Sequence, residues 1–217
     1  MPRRTEPDAS GRHDWKEHTM GQSTATRWEI LDAAHAALRT AVAGVAGPDW
    51  DRATPCEHWT TAQVLQHAAG DQIGFAAAIT GGPGPDEDPF APSGTLTTDP
   101  AEIADRAMRA SAAAFATVAR NADAVPTPVP PHSLPADLAV GACALDAAVH
   151  AWDIAVATGQ TSPLSPELAR ALMPTARVIV DPVRAWGAYA TALPEAEGDD
   201  DVAALLRYLG RDPHWTA

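Results

Sequence analysis

With 217 residues, 46% of them hydrophobic and alanine dominating that fraction, the chain can bury one sizeable core and is typical of packed helices rather than a sheet. Its formal charge of −13 argues against nucleic acid or an anionic membrane as a partner, because both bind clustered Lys and Arg. Two cysteines, no apolar N-terminal segment and no run near the ~20 apolar residues of a membrane span favour a soluble, cytoplasmic protein without a disulfide framework.

The N-terminal part of the chain divides into a tail and a helix. Residues 1–22 are polar and lack a hydrophobic period, so we expect a disordered tail ahead of one domain that spans residues 23–217. Apolar residues then recur at helical spacing, which predicts a first helix from an N-cap at Ser23 or Thr24 to Gly47.

A second helix begins at a capping box formed by Thr60 and Gln63 and runs to Gly81. His67 lies at the border of its apolar face, and Asp71 follows one turn later. A side chain at that border can project into the interior of a helical bundle. Both residues are therefore candidates for a site.

Two connections rich in Pro surround a third helix, which Thr98 or Asp99 caps and which continues to about Arg120. The first connection, residues 81–98, has no hydrophobic period and either covers the mouth of an active site or is inert. The second contains VPTPVPPHSLP and predicts an extended crossover. His132 in this crossover is a candidate for substrate contact.

The alanine-rich run from Ala139 to Gly159 predicts a buried helix whose ionisable side chains repeat at helical spacing. Asp146 and His150 lie one turn apart on one face, and Cys143 and Asp153 fall three residues to either side of that pair. A buried Asp or His needs a partner, because an unpaired buried carboxylate is costly. That partner is either a divalent metal with a third ligand from a neighbouring helix or a hydrogen-bonding group of the core.

The C-terminal part predicts two further helices. Ser165 and Pro166 start a fifth helix, which Pro174 kinks or divides, and an acidic N-cap precedes a short helix that ends at Gly210. The sequence has no glycine-rich phosphate loop, no GxSxG nucleophile elbow and no CxxC pair. These motifs therefore do not assign a reaction to the chain.

Three stretches resemble one known family: TPCEHWTTAQVLQHAAG at 54–70, DAAVHAWDIAVATGQ at 146–160 and ALLRYLGRDP at 204–213. In their order and spacing they resemble the actinobacterial metal-binding branch of the DinB-like superfamily. That branch includes the mycothiol-dependent maleylpyruvate isomerase and the bacillithiol and mycothiol S-transferases. The resemblance covers roughly Ser23 to Trp215. It implies an all-α fold, a four-helix bundle of down-up-up-down type with additional short C-terminal helices.

The resemblance also implies a metal site. The family holds a divalent metal, often zinc or nickel, with one His of the second helix and a carboxylate-x-x-x-His pair of the later core helix. Carried over to this chain, the ligands are His67, Asp146 and His150. The isomerase-type proteins carry Glu where this chain has Asp146, so the shorter carboxylate must approach from closer in or bind with one oxygen.

Other residues of the matching stretches surround this ligand set. Asp153 is interpreted as the partner of a ligating imidazole rather than as a ligand. Cys143 lies on the face of His150 and either approaches the metal or fills the core as a small apolar residue. His58 stands where the family commonly has Gly, and it either adds an imidazole near the mouth or caps the loop.

The implied function is that of an enzyme in which a divalent metal activates a low-molecular-weight thiol of the mycothiol type, for transfer to an electrophile or for isomerisation. A second hypothesis replaces the thiol with water and gives a hydrolase or another Lewis-acid enzyme of secondary metabolism. A third is a bundle that binds a small molecule without catalysis. All three imply a small-molecule ligand, and family precedent suggests a homodimer.

Overall fold

The computed structural model describes residues 28–185 and 187–216, so the predicted tail at residues 1–22 lies outside the described part of the chain. Within the described ranges the regular secondary structure is almost all helical. The helices are α1 (Glu29–Ala43), α2 (Thr61–Thr80), α3 (Pro100–Ala116), α4 (Ala136–Ala157), α5 (Pro166–Arg184) and α6 (Asp201–Tyr208), and a hairpin of β1 (Val125–Pro126) and β2 (Ser133–Leu134) precedes α4.

Helices α1 to α4 form a four-helix bundle, in which α1 packs against α3 and α4, and α2 packs against the same two helices. Helix α4 is buried along nearly its whole length, with α5 on its remaining side and α6 against α5. The predicted all-α bundle is confirmed. By length and apolarity α4 is a candidate membrane span, but 94% of its most apolar window is buried inside the protein, so core packing accounts for its composition.

Local signals set most of the helix starts. The side chain of Thr60 accepts a hydrogen bond from the Gln63 amide, and the Gln63 side chain accepts one from the Thr60 amide, so the predicted capping box forms. Asp99 accepts from the amides of the first turn of α3, and Ser165 does the same for α5. At the end of α2, Gly81 adopts φ of 70°, a left-handed conformation that favours glycine.

Helix α1 is shorter than predicted. It begins at Glu29 after the extended residue Trp28, whose indole N–H donates to the carbonyl of Phe115 at 3.0 Å. It ends at Ala43, where the side chain of Gln160 donates to the carbonyl of Ala41 at 2.9 Å. These contacts with distant segments satisfy backbone and side-chain groups at the helix ends, and local sequence does not show them.

Of the two predicted effects of Pro174, a kink or a division of α5, the structure excludes the division, because the helix continues from Pro166 to Arg184 with Pro174 inside. Its packing against α4 is very close. A side-chain carbon added to Gly141 of α4 would lie 2.3 Å from the hydroxyl oxygen of Thr175, the residue after Pro174. This close contact supports the helix across the proline, where one backbone hydrogen bond is missing.

Candidate metal centre

Three side chains from α2 and α4 converge between the two helices. The Nε2 atoms of His67 and His150 lie 3.6 Å and 3.3 Å from Oδ1 of Asp146. All three residues are buried, and one potential ligand atom from each lies within 4.8 Å of the other two. The one-turn spacing of Asp146 and His150 places them side by side on α4, and the bundle adds His67 from α2.

Both imidazoles are held in one orientation by an acceptor on their far side. The Nδ1–H of His67 donates to the carbonyl of Pro89 at 2.8 Å, and the Nδ1–H of His150 donates to Oδ2 of Asp153 at 2.9 Å. A carbonyl or carboxylate oxygen can only accept, so the proton lies on Nδ1 in each ring. Each Nε2 therefore points to the opposite side, toward Asp146, which is the orientation common to histidine ligands.

Asp146 provides the test of whether a cation fits here. Its Oδ2 atom is buried and has no hydrogen-bond partner among the described residues. Leaving a buried carboxylate oxygen unpaired is costly, and a cation between Asp146 and the two Nε2 atoms would remove that cost. Two imidazoles and one carboxylate form a donor set that suits Zn²⁺ and Ni²⁺. The residues present fit a divalent metal.

The protonation of the two histidines differs because of their surroundings. Burial and the neighbouring His150 lower the pKa of His67 to about 4, so His67 is neutral at physiological pH, as a ligand must be. Burial also lowers the pKa of His150, but Asp146 and Asp153 raise it more, and the result lies well above the ordinary value. In the metal-free protein the proton on His150 therefore offsets the charge of Asp146, and a metal would replace that proton.

Asp71 places a second carboxyl group beside the site, with Oδ2 3.8 Å from Nε2 of His67. Burial, followed by repulsion from Asp146, raises the pKa of Asp71 well above its ordinary value. Two carboxyl groups that repel each other cannot both ionise easily unless a cation lies between them. This arrangement again favours a site for positive charge.

Behind His150 lies a second cluster of polar side chains. Arg211, which follows α6, donates from Nε to Oδ1 of Asp153 and from Nη2 to Oδ2, both at 2.8 Å. The thiol of Cys56 donates to the same Oδ2 at 3.1 Å, and Arg211 Nη2 lies 3.3 Å from the sulfur. Burial raises the pKa of Asp153, but Arg211 and His150 outweigh it and hold that pKa well below its ordinary range. Asp153 is therefore a buried, fully paired carboxylate.

The cluster behind His150 also brings together three potential ligands, Cys56, His150 and Asp153. The guanidinium of Arg211 already pairs with Asp153 there. A metal beside it would meet a like charge and would have to displace a bidentate ion pair. The first group, with its unpaired oxygen on Asp146, is thus the better candidate for a metal.

The connection from 81 to 98 lies on α2 beside the site, where Pro89 and Phe90 contact His67. The Phe90 ring lies edge-on to the His67 ring at 5.7 Å, and the Trp59 ring lies 4.8 Å from it. Phe90 is 55% exposed, and so presents an apolar surface at the rim. Gln66 anchors the loop by accepting from the Gly94 amide at 2.6 Å. The loop therefore helps to build the site.

The other predicted site residues lie elsewhere. The sulfur of Cys143 points at Oε1 of Gln72, 3.1 Å away, in a buried network that also contains His35 and Ser111. His58 and His132 are exposed and adopt φ of 73° and 62° in their loops. None of these three predicted residues is in either group of potential ligands.

The structure adds Cys56 and Arg211, to which the sequence assigned no role. Both lie within the matching stretches TPCEHW and LGRDP, so the signal was present as a family pattern. Spacing along one helix cannot reveal a contact between residues 155 positions apart. Their function becomes visible only once the chain is folded.

Comparison with known proteins gives the family. Residues 31–155 match the family described as mycothiol maleylpyruvate isomerase N-terminal domain. Two uncharacterized proteins of Mycobacterium tuberculosis, from two strains, are each 32% identical over 133 residues, which is 59% of this chain and 65% of each relative. The chain thus spans just under two thirds of the length of these relatives.

Two solved structures share the fold. The crystal structure of the mycothiol-dependent maleylpyruvate isomerase has a TM-score of 0.58 at 17% identity, over 86% of this chain and 90% of that one. The crystal structure of a histidine-to-alanine mutant of the isomerase has a TM-score of 0.52 at 17% identity, over 79% of this chain and 81% of that one. These matches confirm the DinB-like bundle, and the family match extends over more than half of the chain. The chain belongs to the mycothiol maleylpyruvate isomerase N-terminal domain family, a member of the predicted DinB-like, actinobacterial group.

Proposed function

We propose that this protein is a metal-dependent enzyme that acts on a small molecule with a low-molecular-weight thiol of the mycothiol type, by thiol transfer or thiol-assisted isomerisation. The observation that carries the proposal is the unpaired, buried Oδ2 of Asp146 beside two imidazoles whose Nε2 atoms face Asp146. Cytoplasmic location, a small-molecule substrate, the absence of nucleic-acid and membrane partners and a homodimer belong to the same proposal.

His67, Asp146 and His150 would hold the metal, with zinc or nickel the expected ion. Three protein ligands leave coordination positions open for a co-substrate. A divalent ion held there would lower the pKa of a coordinated thiol and so supply a thiolate nucleophile at neutral pH.

The surrounding residues keep the ligands in place. Pro89 and Asp153 hold the Nδ1 protons of His67 and His150, so both Nε2 atoms point inward. Trp59 and Phe90 flank His67 and restrict the access of water on that side. Asp71 lies next to Nε2 of His67, where its carboxyl group can accept a hydrogen bond from a protic ligand.

The thiol is supported by the family and by the fold, which this chain shares with a mycothiol-dependent isomerase. The site residues themselves would also suit activation of water, which is the competing hydrolase hypothesis. Metal-reloaded protein should therefore be assayed for consumption of mycothiol, with glutathione and cysteine as comparison thiols and a chromogenic aryl halide as electrophile. Metal-dependent thiol consumption supports the proposal. If no thiol is consumed with any class of electrophile, the hydrolase hypothesis is favoured instead.

The metal itself is tested by elemental analysis of the purified protein. We expect close to one zinc or nickel per chain, and His150→Ala should lose most of it. His58→Ala is the matched control, since His58 is an exposed histidine outside the ligand group. Equal metal content in both variants would refute the ligand assignment.

A further inference from the structure

The geometry points to Arg211 as a positioning residue for the metal, which acts through Asp153 on His150 and makes the C-terminal segment part of the site. The inference rests on the proposed metal centre and adds to it a residue outside the ligand set. Residue 211 also lies beyond residues 31–155, the part of the chain that matches the family.

The first step is the ion pair between Arg211 and Asp153. Two parallel hydrogen bonds of 2.8 Å join the guanidinium to both carboxylate oxygens, and the Asp153 side chain is completely buried. A bidentate pair fixes the plane and the rotation of the carboxylate, which a single hydrogen bond does not. Asp153 therefore has one available orientation.

The second step runs from Asp153 to His150. Oδ2 of Asp153 accepts the Nδ1–H of His150 at 2.9 Å, and it also accepts from Cys56 and from Arg211. Because this oxygen is fixed by the other donors, it sets the direction of the imidazole ring. Nε2 on the opposite side of the ring is thereby held 3.3 Å from Oδ1 of Asp146, where the metal would bind.

The third step explains how a residue after α6 reaches a buried carboxylate. Gly210 adopts φ of 79°, and the Arg211 amide donates to the carbonyl of Leu206 at 2.8 Å, which turns the chain back at the helix end. A side-chain carbon at Gly210 would lie 2.8 Å from the Ala190 carbonyl oxygen. Glycine is thus required both for the turn and for the close approach, and the turn directs Arg211 inward.

The test compares Arg211→Gln with Arg207→Gln in full-length protein that has been stripped by a chelator. Arg207 is a matched control, because it pairs with Asp199 at 2.9 Å and both side chains are mostly buried, at 15% and 13% exposure. Binding of Co²⁺ is followed by its visible absorption, which reports ligand geometry, and the melting temperature of the metal-free protein is measured separately. We expect Arg211→Gln to weaken Co²⁺ binding by about 10- to 100-fold and to alter the Co²⁺ spectrum, with Arg207→Gln unchanged in both.

A double-mutant cycle with Asp153→Asn shows whether Arg211 acts through Asp153. In the Asp153→Asn background, Arg211→Gln should weaken Co²⁺ binding by less than about twofold, because the connection is already broken. The double variant leaves neither the guanidinium nor the carboxylate unpaired in the interior, so its Co²⁺ affinity can be measured even if Arg211→Gln alone folds poorly. Independent, additive losses of affinity would overturn the inference.

Two outcomes distinguish this inference from the proposed function. If wild type binds Co²⁺ and Arg211→Gln binds it with the same affinity and spectrum, Arg211 does not position the ligand and the metal centre still stands. If wild type binds neither Co²⁺ nor Zn²⁺, the proposed function fails, and the inference fails with it. Arg211→Lys keeps the charge without the bidentate geometry, and its affinity should lie between those of wild type and Arg211→Gln.

Discussion

Asp146 shows how a shorter carboxylate can serve in this site. Although Asp is one methylene shorter than Glu, Oδ1 lies within 3.6 Å of both Nε2 atoms, because α4 itself is buried against α2. The second oxygen has no partner among the described residues. Oδ2 of Asp146 is therefore the oxygen that remains available to a cation.

We expect Asp146→Asn to lower metal affinity tenfold or more, or at least ~1.4 kcal/mol, because the negative charge is lost while the shape is kept. The melting temperature of the metal-free protein should change little. Metal titrations of wild type and variant, read by thermal melting, measure both quantities. Asp137→Asn, an exposed position in the first turn of α4, is the control. A variant that is destabilised without metal and binds it normally would show that Asp146 is structural.

His150 leads to a prediction about protons. Burial lowers the pKa of His150, but Asp146 and Asp153 outweigh burial and raise that pKa well above its ordinary value. His67, in contrast, is neutral above a pH of about 4. The stabilisation from protonated His150 is present at low pH and is lost as pH rises through its raised pKa. Metal affinity should therefore increase with pH over the same range, because the metal must displace that proton.

Calorimetry of zinc binding near neutral pH, in buffers of different ionisation enthalpy, measures the displaced proton. We expect the observed enthalpy to depend on the buffer and to correspond to release of about one proton per ion bound. His150→Ala should lose both the strong binding and the proton release. Binding enthalpies that are the same in all buffers would contradict the assigned protonation of His150.

At the level of single residues, sequence identified the groups that lie on one helix and missed those that meet only in the fold. Asp146 and His150 are one turn apart, so their proximity followed from helical spacing. Cys143 is also on that face by spacing, yet the structure directs its sulfur to Gln72, because different helices pack around different levels of α4. Arg211 reaches Asp153 from 58 positions away, through a turn that spacing cannot predict.

At the level of elements, the loop after α2 is joined to the site through Gly70. A side-chain carbon at Gly70 would lie 2.8 Å from Cγ of Pro89, whose carbonyl holds the Nδ1–H of His67. Small size at this position lets the loop lie directly on α2. Loop position and ligand orientation are therefore linked.

We expect Gly70→Ala to weaken metal binding several-fold, because Pro89 must move away and release the His67 ring. The change should not weaken α2 itself, since Ala favours helix over Gly by about 1 kcal/mol. Gly74→Ala is the control on the same helix, where the added carbon would meet Pro128 at the milder distance of 3.3 Å. Isothermal titration with Zn²⁺ measures the difference. Equal affinities in wild type and Gly70→Ala would show that the loop does not orient His67.

The helices also show which local sequence signals are sufficient to predict where a helix begins. The starts of α2, α3 and α5 were predictable, because Thr60, Asp99 and Ser165 each cap their own first turn. The end of α1 was not predictable, because the contact with Gln160 lies far away in sequence. The continuity of α5 was not predictable either, because it depends on the close packing of Thr175 against Gly141. Tertiary contacts override local propensity where distant segments meet.

At the level of the whole molecule, the site joins segments that are far apart in sequence. His67 comes from α2, Asp146 and His150 come from α4, and Arg211 and Cys56 connect the C-terminal segment and the loop before α2 to His150. A ligand bound at this junction stabilises the packing of α2 against α4, which are two of the four bundle helices. Metal binding should therefore stabilise the bundle as one unit rather than a single loop.

Ligand-linked stabilisation follows RT ln(1 + [L]/Kd), so free metal at about 100 times Kd should add ~2.7 kcal/mol to the free energy of unfolding. For a chain of this size, each kcal/mol raises the melting temperature by roughly 2–4 °C, so we expect an increase of about 5–10 °C. Chelator-stripped protein titrated with Zn²⁺ or Ni²⁺ should show this increase by circular dichroism, which follows all the helices together, and Asp146→Asn should need a higher metal concentration. If the melting temperature of wild type does not respond to either ion, the charge of Asp146 is offset by His150 alone, and the enzyme proposal should be abandoned in favour of a metal-free binding protein.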